Sequence, residues 1–543
     1  MNVGEALLNA LKNAGARALF GIPGDYVLPF FNVIEESSIL PLYTLSHEPS
    51  VGYAADAAAR YGGDLGVAVV TYGAGALNMV NAVACAWAER SPLVIISGAP
   101  GGDELERGLL LHHQIRRADS QLRIFEEITC ARAVLDDPKT APKEIARVLQ
   151  ACLRHSRPVY IELPRNISQT PCLPVAHFFE KVTNEAPIAP CAEAIKRKLA
   201  KAKHPVILAD AEVRRFGLEN AIAALSARTG IPLVTTLMGK GLFAGQQSPC
   251  RGTYLGTAGD GAIRELVENA DCLLMLGVII SDTNLGAAGK KIDLSKAIQI
   301  NEGNVVVGKN KFKNINSAAL IETLQDILPT GRSALAPVRH IKIKTPAEDK
   351  LLRADDIAGL INAQLKTMSE KTPVAVDVGD CLFISMGLND ISLLASGFYA
   401  TMGFGVPAGL GVQASTGDRP LIITGDGGFQ MTGWELLNCV RSGLDPVVLV
   451  LNNGGWGMLK QFHQQAGYTS RGDIPYALLA KTLGGDGYRV TTTGALAAAL
   501  QKAFRQRGRF QLIEAVLPGE DVSTALKPYI GAMKEGMAPK IVA

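Results

Sequence analysis

The sequence predicts an α/β protein made of three doubly wound parallel-sheet domains. Short apolar runs bounded by Gly or Pro alternate with amphipathic helical stretches along the chain, as strands buried on both faces require. The length of 543 residues suits three domains of ordinary size. Two stretches, 171–187 (PCLPVAHFFEKVTNEAP) and 328–346 (LPTGRSALAPVRHIKIKTP), are rich in Pro, lack periodicity and read as linkers. The expected domains are therefore 1–170, 188–328 and 348–543.

In the first domain a helix at 3–15 leads into a strand in ARALFGIPG, and a helix near 26–37 precedes one in LPLYTLS. A small-residue helix at 50–61, the strand GVAVVTYG and a helix at 75–90 follow. The strands PLVIISGAP and PVYIELP enclose a helix at 138–154. The middle domain carries PVILAD, PLVTT, CLLMLGVII and AIQINEG as strands. The last has helix 353–369, strand PVAVDVG and helix 381–394, then FYATMGFGVPAGLG and the strands PLIITGDGG, PVVLVLNN and FQLIEAVL. The first and last domains share one plan, a helix of about four turns leading into a strand with a Gly-rich end. GARALFGIPGD and TPVAVDVGDC illustrate it, and an internal pseudo-repeat is expected.

Composition narrows the function classes. At 48% apolar and 19% charged residues the chain is globular. A net charge of +3 without a Lys/Arg cluster argues against a nucleic-acid surface. Nine scattered cysteines without a CxxC pair read as core residues in a reducing compartment. The N-terminus reads as an amphipathic helix, not a signal peptide, and runs such as 272–280 are too short to span a bilayer. A soluble cytoplasmic protein with no membrane partner is expected.

The richest stretch is 421–453. The strand Leu421–Ile423 ends in Gly425-Asp426-Gly427-Gly428, a polar helical segment follows, and the strand Val447–Leu451 ends in Asn452-Asn453. Carboxyl ends of neighbouring parallel strands are where ligands sit. Asp426 and Asn453 are hard oxygen donors of the kind magnesium takes together with phosphate. The glycines allow close backbone approach to that phosphate. A magnesium-diphosphate site is the first expectation.

Glu48, in TLSHEPSVGYAADAAAR, reads either as an acidic residue at a helix N-terminus or as a carboxyl exchanging a proton with a bound heterocycle. The small residues after it permit close approach by another backbone. His112 and His113, in GLLLHHQIRR, are adjacent and would not share a face on a helix, so they are weak as a metal pair and reasonable as separate proton donors. Asp25, in FGIPGDY, is a turn residue unless the fold brings it to the histidines. Asp282 ends a strand and reads as a cap. GFGVPAG at 403–409 is no dinucleotide fingerprint, because Ala408 stands where the last glycine falls and Pro407 interrupts the helix-opening run. Walker, Gly-x-Ser-x-Gly and zinc-spaced motifs are lacking.

Taken together, GDGGFQMTGWEL…NNGGWG, GIPGDY, SHEPSVGYAADAAAR, TYGAGALN and LLLHHQ resemble, in order and over essentially the whole chain, the thiamin diphosphate-dependent 2-keto acid decarboxylases. The likeness is greatest to bacterial phenylpyruvate and indolepyruvate decarboxylases. This resemblance implies thiamin diphosphate and Mg2+ as cofactors. Asp426, Asn453 and the Gly455 carbonyl would hold the metal, and Gly425, Gly427, Gly428 and Asp380 the diphosphate. Met402 would be the wedge that bends the cofactor, the Ala400 carbonyl would accept from its aminopyrimidine, and Thr71 would join the cofactor pocket. Glu48 would bind the pyrimidine nitrogen from the other subunit, implying a homodimer at least and a dimer-of-dimers tetramer. The implied reaction is non-oxidative decarboxylation of a 2-keto acid through the cofactor's ylide, with Asp25, His112 and His113 as proton donors. Many pyruvate decarboxylases carry a glutamate six residues past the second Asn of the motif; here that residue is Leu459. Its apolar surface suits an arylpyruvate, and Asp282 would supply part of the missing acid. Trp456, Met458, Leu459 and Phe462 read either as an apolar pocket lining or as helix packing. Two alternatives stay open: a carboligase resembling acetolactate synthase, and a non-catalytic nucleotide-binding α/β protein.

Overall fold

A computed structural model describes residues 1–62, 65–176, 186–245, 249–286, 292–331, 346, 348–369, 372–463, 466–470, 472 and 474–537. Three sheets lie in chain order. The first contains β1 (Leu19–Gly21), β2 (Leu42–Thr44), β3 (Gly66–Val70), β4 (Leu93–Ala99), β5 (Ala131–Val134) and β6 (Val159–Pro164). The second contains β7 (Pro205–Ala209), β8 (Leu233–Thr235), β9 (Cys250–Thr253), β10 (Cys272–Leu276), β11 (Ile298–Asn301), β12 (Asn304–Val307) and β13 (Asn310–Phe312). The third contains β14 (Pro373–Val376), β15 (Ser392–Ala395), β16 (Leu421–Gly425), β17 (Val447–Asn452), β18 (Asp486–Val490) and β19 (Gln511–Val516).

The pseudo-repeat is real. The first sheet runs β2-β1-β3-β4-β6-β5 and the third β15-β14-β16-β17-β19-β18, the same order when each is counted from its own first strand. Both are parallel throughout. The middle sheet departs from the expected parallel plan. Its β11 turns back at Glu302-Gly303 into β12 and then β13, so one edge is antiparallel. Both turn residues have positive φ, as a two-residue hairpin requires.

Three local expectations are corrected. The helix expected at 381–394 ends at Ser385, and Ser392–Ala395 pairs as β15 beside β14, because ISLLA supplies a half-buried strand. The helix expected at 75–90 is two helices, Ala74–Asn78 and Val80–Ala88. Pro407 does not interrupt a helix: it lies in the first turn of Gly405–Thr416, where a missing N–H costs nothing. Residues 177–185 and 332–345, within the two linker stretches, lie outside the described residues.

The small-residue helix Glu48–Gly62 does meet another backbone closely. It packs on Gly405–Thr416, and a Cβ at Gly411 would lie 2.0 Å from the Ala54 carbonyl oxygen. One apolar cluster, with Val51 and Ala54 against Val406 and Leu410, joins the first and third sheets. Arg60 lies within this contact, paired with Asp56 and Glu89, all three buried. A buried charge survives only with such partners. No helix among the described residues is long and apolar enough to cross a membrane.

Candidate active site

The carboxyl ends of the third sheet converge on a cavity of about 360 Å³. Strand β14 delivers Asp380, the loop after β15 delivers Ala400 and Met402, β16 delivers Gly425 to Gly428, and β17 delivers Asn453 and Gly455. Because Gly425 pairs with Leu451 in the β16–β17 ladder, Asp426 and Asn453 emerge side by side. Ten of the residues expected at the site, Asp282 among them, line this one cavity.

Local packing explains the glycines. A Cβ at Gly427 would lie 2.5 Å from the Trp456 indole nitrogen, and one at Gly428 would lie 2.7 Å from Asp377 Oδ2. Asp426 is buried, and its Oδ1 accepts from the Gly427 N–H at 2.8 Å. A bare backbone cradle beside a carboxylate, a carboxamide and the Gly455 carbonyl suits a diphosphate bound through a hard cation. Asp380 is held by the Ser523 amide at 2.7 Å and by the Ser523 hydroxyl, and burial pushes its carboxyl up from its ordinary value.

Sequence reasoning missed the brace beneath this cradle. Asp377 is buried at the end of β14, and burial raises its pKa. Its Oδ1 accepts from the Gly403 and Phe404 amides at 2.8 and 3.0 Å, while Oδ2 accepts from the Thr424 hydroxyl at 2.7 Å. The Met402 loop and the Gly425 turn therefore share one anchor. From the other side, Glu89 Oε1 accepts the Phe398 and Tyr399 amides, each at 3.0 Å. Between the anchors Ala400 adopts φ +59°, a conformation disfavoured for a residue with a Cβ. The available sequence signal was an acid closing the apolar strand PVAVD.

Asp25, Glu48, Thr71, His112 and His113 form a second group, at the equivalent ends of the first sheet. Asp25 follows β1, Glu48 follows β2 and Thr71 follows β3. The structure does bring Asp25 to the histidines: its Oδ2 lies 2.7 Å from His112 Nε2. His113 Nδ1 lies 3.1 Å from the Tyr72 carbonyl. The two histidines sit in a turn, not on a helix, and His113 has φ +66°, so their rings pack 4.9 Å apart. Glu48 opens its helix half-exposed, and its Oε2 accepts from Asn78 Nδ2 at 2.8 Å. A Cβ on Gly75 would lie 3.1 Å from Thr71 Cγ2 and 3.6 Å from Glu48 Oε1. The buried Thr71 hydroxyl has no hydrogen-bond partner among the described residues.

Within one chain the two groups do not line one cavity. None of Asp25, Glu48, Thr71, His112 and His113 lines the cavity of the third sheet. Asp282 does reach it from the middle sheet, beside Thr283 and Tyr529, while its Oδ1 caps its own turn by accepting the Thr283 amide at 2.7 Å. Trp456, Met458 and Leu459 line the cavity, whereas Phe462 packs instead against the core of the third sheet, with Lys534 over its ring.

Comparison with known proteins agrees with this geometry. Residues 1–122 match the family described as thiamine pyrophosphate enzyme, N-terminal TPP binding domain. Residues 192–328 match its central domain, and 362–515 its C-terminal TPP binding domain. An indole-3-pyruvate decarboxylase of Azospirillum brasilense is 50% identical over 537 residues, covering 98% of each chain. An alpha-keto-acid decarboxylase of Mycobacterium tuberculosis (strain ATCC 25618 / H37Rv) is 31% identical over 553 residues, covering 98% of this chain and 97% of that one. One of Mycobacterium avium (strain 104) is 30% identical over 558 residues, covering 99% and 98%. The protein thus belongs to the thiamine pyrophosphate enzyme family, within the group of 2-keto acid decarboxylases.

Proposed function

We propose that this enzyme decarboxylates an aromatic 2-keto acid, phenylpyruvate or indole-3-pyruvate, to the aldehyde and carbon dioxide. One observation carries the substrate class: Leu459 lines a cavity whose walls, beyond the Asp426–Asn453 cradle, include Leu382, Phe383, Met458, Leu517, Tyr529 and Met533, with Asp282, Thr283 and Asp521 as its polar part. An apolar cavity of this size accommodates an aryl group and gives a methyl group little to bind. The name of the Azospirillum brasilense relative supports the same class.

Thiamin diphosphate, when bound, supplies the electron sink for cleaving the carbon–carbon bond. The chain's own residues hold it and move protons. Asp426, Asn453 and the Gly455 carbonyl would hold magnesium; Gly425, Gly427, Gly428 and Asp380 would line the diphosphate. Met402 and the Ala400 carbonyl, fixed by Asp377 and Glu89, would set the ring geometry. Glu48 would exchange a proton with the pyrimidine nitrogen, with Thr71 beside it. Asp25, His112 and His113 would deliver the proton that replaces the departing carboxyl group. Asp282, at the cavity's edge, would contribute part of the acidity that Leu459 lacks. The units 1–170, 188–328 and 348–543 would divide these tasks.

A second copy of the chain would complete the site. The two groups line no common cavity within one chain, and Met431, Trp434, Leu437 and Val440 stand 41–65% exposed along the segment leaving the cradle. Contiguous apolar exposure of this kind marks an interface. We place the dimer there, with a tetramer formed from two dimers. A cytoplasmic location suits nine cysteines, none of which forms a disulfide.

The test is a panel of 2-keto acids assayed with and without magnesium and thiamin diphosphate. Phenylpyruvate or indole-3-pyruvate should show the highest kcat/KM, and both cofactors should be required. In the same panel Leu459→Glu is expected to move the pyruvate-to-phenylpyruvate ratio of kcat/KM by about 10-fold or more toward pyruvate, the scale of one buried apolar contact. An unchanged ratio would remove Leu459 as the specificity determinant.

A further inference from the structure

We propose that Asp25, His112 and His113 form a zinc-binding site whose occupation inhibits the enzyme. Among the described residues this is the one group of three His, Cys, Asp or Glu side chains whose ligand atoms all lie within 4.8 Å of one another. The inhibition, though not the binding, rests on the assignment of the three side chains as proton donors.

Both imidazoles are already oriented as metal ligands are. The Tyr72 carbonyl can only accept, so its 3.1 Å contact puts the proton of His113 on Nδ1 and leaves the Nε2 lone pair for a cation. His112 Nδ1 lies 3.2 Å from the Tyr26 hydroxyl, and its Nε2 faces Asp25 Oδ2 at 2.7 Å. The Tyr26 hydroxyl donates to the His112 carbonyl at 3.3 Å, so its oxygen can accept from Nδ1–H, and zinc then replaces the proton that bridges Nε2 and the carboxylate. Metal-binding histidines usually have such a partner on the second nitrogen, and it fixes ring and tautomer together. The rings have little freedom to turn away: His112 stacks on Tyr26 at 4.7 Å and packs against His113 at 4.9 Å.

The donor set selects the metal. Two imidazoles and one carboxylate, with a fourth position open, suit zinc and fit poorly with magnesium, which prefers octahedral oxygen ligands. Tetrahedral bonds of 2.0–2.1 Å put donor atoms about 3.3 Å apart. Asp25 Oδ2 and His112 Nε2 lie 2.7 Å apart, and one ligand atom from each of the three side chains lies within 4.8 Å of the others, so small shifts bring the set to that spacing. Arg165 is the competing charge, 3.8 Å from Asp25 Oδ2, but its guanidinium is engaged by Glu104. Bound zinc would occupy the lone pairs that otherwise carry the transferred proton, so proton delivery and metal binding exclude each other.

The experiment titrates the holoenzyme, in excess magnesium and thiamin diphosphate, with Zn2+ for turnover and with Co2+ for its visible spectrum. One Co2+ per chain with intense tetrahedral bands is expected, displaced by Zn2+, together with loss of turnover that follows zinc saturation. His112→Ala and His113→Ala should each weaken zinc binding by more than about 10-fold, since losing even an outer-shell partner costs 10- to 100-fold. Tyr26→Phe should weaken it by about 10-fold for that outer-shell reason. Retained binding of thiamin diphosphate verifies that each variant is folded. Octahedral cobalt, or zinc affinity indifferent to both histidine variants, would overturn the site. Zinc bound at these residues with turnover unchanged would overturn the inhibition and the proton-donor assignment with it. Absence of zinc binding in an enzyme that His113→Ala inactivates would overturn the site and leave that assignment standing.

Discussion

Glu48→Gln is expected to lower kcat by about 10³-fold, the middle of the range for losing a positioned general acid–base group, while thiamin diphosphate still binds. The substitution is nearly isosteric. Its amide oxygen can still accept from Asn78 Nδ2, which now lies 2.8 Å from Glu48 Oε2. The loop that carries Glu48 is anchored elsewhere, with the Ser46 amide on Glu435 at 2.9 Å and the Thr44 carbonyl accepting from Arg441 at 2.7 Å. Fold and cofactor pocket should therefore survive, and only proton exchange should be lost. Trp456, on the cavity wall, offers a fluorescence signal for cofactor binding that is independent of turnover. Full activity in Glu48→Gln would remove the carboxyl from the chemistry.

Asp426→Asn is expected to weaken thiamin diphosphate binding by about 100-fold and to abolish its dependence on magnesium, because the one carboxylate in the proposed donor set of Asp426, Asn453 and Gly455 is lost. Chelation of the metal from the wild-type protein should reproduce the effect, and added magnesium should reverse it only in the wild type. The fold should persist, since Asp426 Oδ1 accepts from its neighbour Gly427 and the cradle is braced by Asp377 from below. Retained magnesium dependence in Asp426→Asn would move the metal elsewhere.

Much of this was legible in the sequence because parallel strands place their carboxyl ends together. The spacing of Asp426 and Asn453 on consecutive strands defined the cradle, and the shared plan of the first and last thirds reappears as one strand order used twice. The small residues of Glu48–Gly62 announced a close helix contact, made with Gly405–Thr416. Strands β12 and β13 were not legible: the three valines of β12 make a run too short to separate from the strand before it, and β13 is short, polar and exposed at the antiparallel edge. Strand β15 was absorbed into a neighbouring helix for a similar reason. The anchors were hidden most completely. Asp377 and Glu89 act by accepting backbone N–H groups from distant loops, and such contacts leave no periodic trace in a sequence. The pairing of His112 with His113 was obscured by a positive φ that adjacency alone does not reveal.

In the proposed dimer each active site joins Glu48 of one chain to Asp426 of another. Mixing the two inactive variants tests it directly. Glu48→Gln and Asp426→Asn chains, unfolded together and refolded or co-expressed, form heterodimers in which one site holds both substitutions and the other holds neither. A two-fold dimer assembled at random should then recover roughly a quarter of wild-type activity. If both residues of a site came from the same chain, every site in the mixture would carry one substitution, and activity would stay at the level of the separate variants.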